Sequence, residues 1–130
     1  KIDTGGGMGV RAGLGKKKAK RVGKVKMSGG QTHGFCKKSQ IKSVVRRRAG
    51  AIRACYEGRL QLNPKLSGKL TIRWTIQMDG KASGVSATSN SLGDSKATNC
   101  ILRVLRRMRF QKPEGGVCVV QWPFVFSGAG

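Results

Sequence analysis

The sequence predicts an α+β domain, and three observations support that class. The hydrophobic period is helical before Asn63-Pro64 and changes to two after Ser67-Gly68. Asp79-Gly80, a favoured hairpin turn, directly follows the alternating segment. A second amphipathic segment and a last alternating segment come next, so the predicted order is helix, strand, strand, helix, strand.

The first helix is predicted over about residues 40–60, with Ser39 as its N-cap. Pro64 ends the helical pattern, because proline lacks a backbone donor and favours extended geometry in the preceding residue. The first strand follows over about residues 69–78. Its apolar face consists of Leu70, Ile72, Trp74, Ile76 and Met78.

A second strand and a second helix follow the hairpin turn. The strand is predicted over about residues 82–89, with Ala87 among its inward-facing residues. Asp94 or Ser95 then caps a helix over about residues 96–109. Arginines occupy the solvated face of this helix and favour its C-terminal end.

The last strand is predicted over about residues 117–126. A right-handed crossover brings it beside the first strand, which gives a three-stranded antiparallel sheet of order two-one-three with both helices on one face. The last strand is then an edge, where Pro123 is tolerated. Trp74 and Trp122 fall on apolar faces and are expected in the core. The apolar face of the last strand consists of Cys118, Val120, Trp122, Phe124 and Phe126.

Composition divides the chain near residue 38. Residues 1–38 are rich in Gly and Lys and are predicted to be a flexible basic linker, with a short extended piece near 22–27. Residues 1–20 are expected to be disordered and dispensable for the fold. Residues 39–130 form the predicted domain. The chain begins with Lys1 rather than Met, and we interpret it as a fragment whose membrane or export signals lie outside it.

The chain is extremely basic, with 27 Lys and Arg against 5 Asp and Glu. Such a charge is typical of proteins that bind nucleic acid, anionic lipid or an acidic protein. Base-stacking aromatics are few, which weighs against nucleic acid. Glu57 has no second carboxylate, His or nucleophile beside it, so we expect no enzyme activity and no cofactor.

The four cysteines stand far apart, at positions 36, 55, 100 and 118, without the CxxC spacing of a metal site, and no metal is expected. They suit an oxidising compartment, although four buried thiols in a reduced protein remain an alternative. Cys55 and Cys100 are predicted to join the two helices, because both face the sheet side of their helices. Cys36–Cys118 is a weaker second pair, which requires the segment before the first helix to lie along the last strand.

Three segments carry a resemblance to a known family: IRACYEGRLQLNPKLSGKLTIRWTIQMDGK, SLGDSKATNCILRVLRRMRFQKP and VVQWPFVFS. Their pattern is Ile-x-x-Cys-Tyr-Glu, Pro-x-Leu-x-Gly, a Cys in the second helix, Arg-Phe-x-x-Pro and Pro-Phe-x-Phe. It resembles the AgmX/PglI C-terminal domain, a TonB-like domain of myxobacterial gliding-machinery proteins of the GltG and GltJ type. The match covers roughly residues 40–127, and Cys36 and Cys118 lie outside the pattern.

The resemblance implies a periplasmic, non-enzymatic, partner-binding domain of an inner-membrane-anchored transducer. Domains of this kind are linked to an inner-membrane motor complex and transmit energy or force. They recruit a short segment of an outer-membrane barrel or periplasmic protein by adding it to the sheet.

The predicted partner-binding edge is the start of the last strand. An edge strand has unpaired backbone groups that can pair with an incoming extended segment. Because Pro123 interrupts this edge, the partner is expected to lie beside residues upstream of it, and an acidic segment fits the charge. The alternatives are that the linker strand covers this edge, or that the chain is a basic nucleic-acid-binding module. The predicted edge residues are Val117, Cys118, Val119, Val120 and Gln121.

Overall fold

The computed structural model describes residues 21–129, which form three helices and one antiparallel sheet. The predicted α+β class is confirmed, while the prediction for residues 1–20 lies outside the described residues. The elements in chain order are β1 (Val22–Lys26), β2 (Gln31–Gly34), α1 (Lys38–Arg47), α2 (Ala49–Leu60), β3 (Gly68–Ile76), β4 (Ala82–Asn90), α3 (Ser95–Arg106) and β5 (Cys118–Ala129).

The sheet has five strands rather than the three predicted. Its order is β1-β5-β3-β4, and β2 also pairs with β5. The three predicted strands correspond to β3, β4 and β5, and their order two-one-three is confirmed. The short strand expected near residues 22–27 is present as β1, whereas β2 was not predicted. Both precede Ser39, so the folded unit begins upstream of the predicted boundary.

The predicted edge position of β5 is wrong, because two short strands pair with its outer side. β1 pairs with residues 125–129 and β2 pairs with residues 118–121. Neither pairs with the stretch between them, which contains Pro123. Proline lacks an N–H donor and is therefore tolerated in this gap in the ladder.

The first predicted helix is two helices that meet at Arg48. The Arg48 N–H donates to Val45 O at 3.0 Å, three residues back, and the Ile52 N–H restarts the helical ladder on Arg48 O at 3.0 Å. The tighter i→i−3 bond changes the course of the chain between α1 and α2. The predicted cap Ser39 is also wrong, since Lys37 is the N-cap and makes no side-chain capping bond.

Asp94 caps α3, as predicted. Its Oδ1 accepts the Ala97 N–H at 2.9 Å, and Arg59 Nε lies 3.2 Å from both carboxylate oxygens. The Ala97 N–H and the Arg59 guanidinium hold the pKa of Asp94 below its ordinary value. The contribution of Asp94 to stability is therefore complete above about pH 4 and is lost as the pH falls through the folded-state pKa.

All three helices contribute to a single core against one face of the sheet. Trp74 and Trp122 are buried there, as predicted. Met78 is 52% exposed, contrary to prediction, because β3 ends at Ile76 and the chain turns before reaching it. Ala87 is exposed although it pairs with the buried Ile72 and so lies on the same face, because it stands on β4, the outermost strand of the sheet.

Three successive residues of α2 tie separate parts of the chain together. Cys55 forms a disulfide with Cys100 of α3. The Tyr56 hydroxyl donates to Leu66 O, and burial raises the pKa of Tyr56. Glu57 Oε2 accepts the Gly23 N–H at 2.8 Å, so this carboxylate fixes β1 to the helix layer. The Cys-Tyr-Glu triplet is thus structural.

Gly30 provides a stability test, because it lies flat against the indole of Trp122. A Cβ atom on Gly30 would overlap that ring, whereas one on Gly58, exposed within α2, would contact nothing within 4 Å. Gly30→Ala is expected to lower the free energy of unfolding by about 1–3 kcal/mol through overpacking. Gly58→Ala, the control, is expected to raise it by roughly 0.5–1 kcal/mol, because glycine costs entropy within a helix.

Urea unfolding followed by tryptophan fluorescence measures both free energies. Equal stability of Gly30→Ala and the parent chain would contradict the packing of the segment between β1 and β2 against Trp122.

Candidate partner-binding edge

The outer edge of β5 is already paired at the predicted partner-binding residues. Gln31 pairs with Gln121, and Gly34 pairs with Cys118. β3 pairs with the same residues on the other side. The prediction of an unpaired edge is therefore wrong, and the alternative, in which an upstream strand covers it, is what the structure contains. Sequence reasoning missed β2 because Gln-Thr-His-Gly has no alternating apolar residue.

The five predicted residues lie on both faces of the sheet. Cys118 and Val120 are buried beneath the helices, whereas Gln121 is exposed on the opposite face. Val119 is partly exposed, and Val117 lies just before the strand with 41% of its surface exposed. A partner at this edge would thus contact backbone groups and the side chains of the open face.

The direction of the backbone groups follows from one hydrogen bond beside β2. Val117 O accepts the Phe35 N–H at 3.5 Å, so Val117 directs its carbonyl toward the outer side of β5. Backbone groups alternate along an antiparallel strand. Val119 and Gln121 therefore direct their N–H and C=O groups to β2, and they are the groups that an added strand would bind.

β2 is attached mainly through its backbone. None of its four residues is buried, and only Thr32 is partly covered. The pairing between β2 and β5 is therefore a short ladder with little side-chain burial. Burial of apolar surface is the main stabilising term in a fold, so β2 adds little stability of this kind.

β1, in contrast, is fixed by side chains on both sides of its strand. Beside the Glu57–Gly23 bond, Gln61 accepts the Arg21 N–H at 3.1 Å and donates to Arg21 O at 2.8 Å. After β1, the Trp122 Nε1–H donates to Met27 O at 3.0 Å. The arm formed by residues 21–34 is thus firmly held at β1 and loosely held at β2.

A disulfide fixes the end of this arm. Cys36 is bonded to Cys118 with a Cα–Cα distance of 5.8 Å, and Cys55 is bonded to Cys100 at 5.7 Å. Both predicted pairs are therefore present. The first pair required the segment before α1 to lie along β5, and β2 meets that requirement. Two disulfides indicate an oxidising compartment, either extracellular or periplasmic.

Carboxylates in the described residues are mostly occupied by structural hydrogen bonds. Asp79 Oδ1 accepts the Lys81 N–H at 3.0 Å, while Glu57 and Asp94 bind backbone N–H groups as described above. Between described residues, the one ion pair is Arg59–Asp94. Most of the lysines and arginines of residues 21–129 therefore form no ion pair with a carboxylate of the same described residues.

Within residues 21–129, no group of three His, Cys, Asp or Glu side chains could hold a metal ion. No helix in this part of the chain is long and apolar enough to cross a membrane. Comparison of the chain with known protein families, with curated proteins and with solved structures finds no match.

Removing the disulfides one at a time is expected to release different parts of the fold. Cys36→Ala/Cys118→Ala should free β2, because mainly its backbone ladder then remains. Cys55→Ala/Cys100→Ala should instead loosen α2 from α3. Limited trypsin digestion with mass spectrometry of the first fragments distinguishes the two.

Early cleavage is expected at Lys37, which follows β2, in the first variant, and at Arg53 and Arg59 in the second. Each variant is the control for the other. First cleavage within α2 or α3 in the Cys36→Ala/Cys118→Ala variant would show that β2 belongs to the cooperative core.

Proposed function

We propose that this chain is a protein-interaction domain that binds an extended segment of a partner at the outer edge of β5. The segment takes the position of β2 and pairs with Val119 and Gln121. Backbone hydrogen bonds supply the affinity in this mode, and alternate side chains supply selectivity. The domain binds and does not catalyse.

The observation that carries the proposal is that the chain already adds a strand of its own at this edge. β2 is a four-residue, exposed strand without apolar side chains, yet it pairs in register with residues 118–121. The edge thus accepts an extended segment on backbone complementarity. A partner with favourable side chains would gain contacts that β2 lacks.

The wider context is proposed from the sequence resemblance. The Cys-Tyr-Glu, Pro-x-Leu-x-Gly and Pro-Phe-x-Phe patterns support a TonB-like domain of the AgmX/PglI type. Such a domain lies in the periplasm, belongs to an inner-membrane-anchored transducer and transmits energy or force in gliding motility. The two disulfides and the strand order support the periplasmic assignment and the topology. The proposed partner is an outer-membrane barrel or periplasmic protein, and an inner-membrane motor acts through the rest of the transducer.

A basic nucleic-acid-binding module is the second candidate, favoured by the net charge of +22. Nucleic acid would bind through its phosphates and would not pair with a strand edge. Binding of oligonucleotides that persists without residues 1–20, which leaves β1, β2 and Cys36 in place, and that falls steeply with salt would favour this candidate over strand addition.

Two proline substitutions in β2 test the edge. By the alternation of backbone groups, the His33 N–H faces β5, whereas the Thr32 N–H faces away. His33→Pro is expected to weaken the ladder and to leave the edge accessible. A peptide that competes with β2 should then bind about tenfold more tightly, because its apparent affinity scales with the population of the open state.

Peptides tiled across periplasm-facing segments of outer-membrane barrels serve as probes, and amide chemical shifts at Val119 and Gln121 report binding. Thr32→Pro, which leaves the bonded N–H in place, is the matched control and should bind like the parent chain. Equal affinity of both variants, or shifts confined to the helix arginines, would contradict strand addition at this edge.

A further inference from the structure

We infer that a basic groove beside α1 binds an acidic stretch of the partner, directly after the segment that is added to β5. The groove, called the α1 groove below, lies between α1 and residues 109–114. The inference rests on the proposed function, because the position of β2 defines where the partner enters. It adds a second binding surface and a sequence requirement for the partner.

Two cavities along α1 define the groove. The larger, of about 740 Å³, is lined by Lys37 and Gln40 on one side and by Gln111, Lys112 and Glu114 on the other. The smaller, of about 290 Å³, is lined by Val44, Arg47 and Arg48 on one side and by Arg109 on the other. Both are therefore bounded by α1 and by the segment that leads from α3 to β5.

The α1 residues that line the groove lie on one stripe of the helix. Positions 37, 40, 44 and 47 are separated by three or four residues, which places them on the same helical face. At 1.5 Å per residue, the eleven steps from Lys37 to Arg48 span roughly 16 Å. About five residues of an extended peptide cover this length.

The charge of the groove is almost entirely positive. Its cations come from two separate parts of the chain, and Glu114 is its one carboxylate. Guanidinium groups bind carboxylates through paired hydrogen bonds, which makes arginine suited to recognising Asp and Glu. The groove cations are Lys37, Arg47, Arg48, Arg109 and Lys112.

The groove begins where β2 ends. Gly34, the last residue of β2, and Phe35 both line the larger cavity. A segment that takes the place and direction of β2 therefore runs out of the ladder and into the groove. The partner sequence that fits both surfaces has about four extended residues followed by about five residues rich in Asp and Glu.

This continuity favours an acidic peptide over a nucleic acid. Pairing with Val119 and Gln121 requires a peptide backbone, which a nucleic acid lacks. Phe35, which is 56% exposed, is the aromatic residue that lines the groove, and it offers a single stacking surface where single-strand binders stack successive bases.

A pair of nonapeptides tests the inference. The forward peptide has the sequence Thr-Val-Thr-Val-Glu-Ser-Glu-Ser-Glu, and the reversed peptide has the same residues in the opposite order. Isothermal titration calorimetry gives their affinities for the disulfide-intact protein. The forward peptide is expected to bind about tenfold more tightly, because only its acidic half reaches the groove when its backbone runs in the direction of β2.

Two double variants with equal charge loss then locate the site. Arg47→Ala/Arg109→Ala removes one groove cation from each side and is expected to weaken the forward peptide about tenfold. Arg53→Ala/Arg103→Ala removes two exposed arginines that line neither cavity, and less than about a twofold change is expected. Equal losses in both variants, or equal affinities of the two peptides, would overturn the inference.

Amide shifts separate this inference from the proposed function. Shifts at Val119 and Gln121 that persist unchanged in Arg47→Ala/Arg109→Ala, with no loss of affinity, would overturn the groove and leave strand addition standing. If that variant loses affinity but the peptide causes no shifts at Val119 and Gln121, strand addition is overturned. The proposed order of the partner sequence, extended residues followed by acidic residues, is then overturned as well. Tighter binding of a single-stranded oligonucleotide than of the forward peptide, through the same two arginines, would overturn the choice of an acidic peptide.

Discussion

Backbone pairing along the outer side of β5 is the interaction on which the rest of the structure depends. β5 receives β3 on one side and two short strands of the N-terminal arm on the other, so the arm and the sheet are completed together. The two halves of the arm are held by different means. Tyr56 and Glu57 of α2 hold β1 through packing and a hydrogen bond, while β2 depends on its ladder and on the disulfide that follows it. An unpaired edge invites nonspecific association, and β2 covers this one. In the proposed function, a partner segment displaces that cover.

Apolar packing and backbone hydrogen bonds hold this fold together, whereas the excess positive charge lies at its surface. The core is an ordinary apolar layer between helices and sheet, and the carboxylates of the described residues mostly bind backbone N–H groups that shape the fold. Apart from Arg59, the arginines and lysines of residues 21–129 therefore have no carboxylate of the same described residues as an ion-pair partner, and they repel one another at a cost to stability. An acidic partner that lies along α1 and beyond β2 would relieve this repulsion. The outer edge of β5 would then supply affinity for the partner, and the neighbouring α1 groove would supply selectivity for its acidic residues.

The parts of the fold that follow residue 38 could be predicted because their side chains carry the information. Alternation through Leu70 and Trp74 marks a strand, and Asp94 marks a helix start, since burial and capping require those residue types. The N-terminal arm could not be predicted in full, because β2 contributes backbone groups rather than buried side chains. The exposure of Ala87 on the outermost strand and the break at Arg48 also lack a sequence signal. The sequence analysis left open that an upstream strand covers the outer side of β5, but the pairing of β2 there was visible only in the structure. The Cys36–Cys118 pair pointed the same way, because it requires the segment before α1 to lie along β5.

Residue-resolved hydrogen exchange of the disulfide-intact protein tests the central claim most directly. Val119 and Gln121 donate toward β2, whereas Val120 and Trp122 donate toward β3 by the same alternation. If β2 is an exchangeable cover, the amides of Val119 and Gln121 exchange through local opening, with free energies well below that of global unfolding. The amides of Val120 and Trp122 then exchange only with global unfolding. If all four amides exchange at the same free energy, β2 is an integral part of the sheet and the edge of β5 is not a binding site.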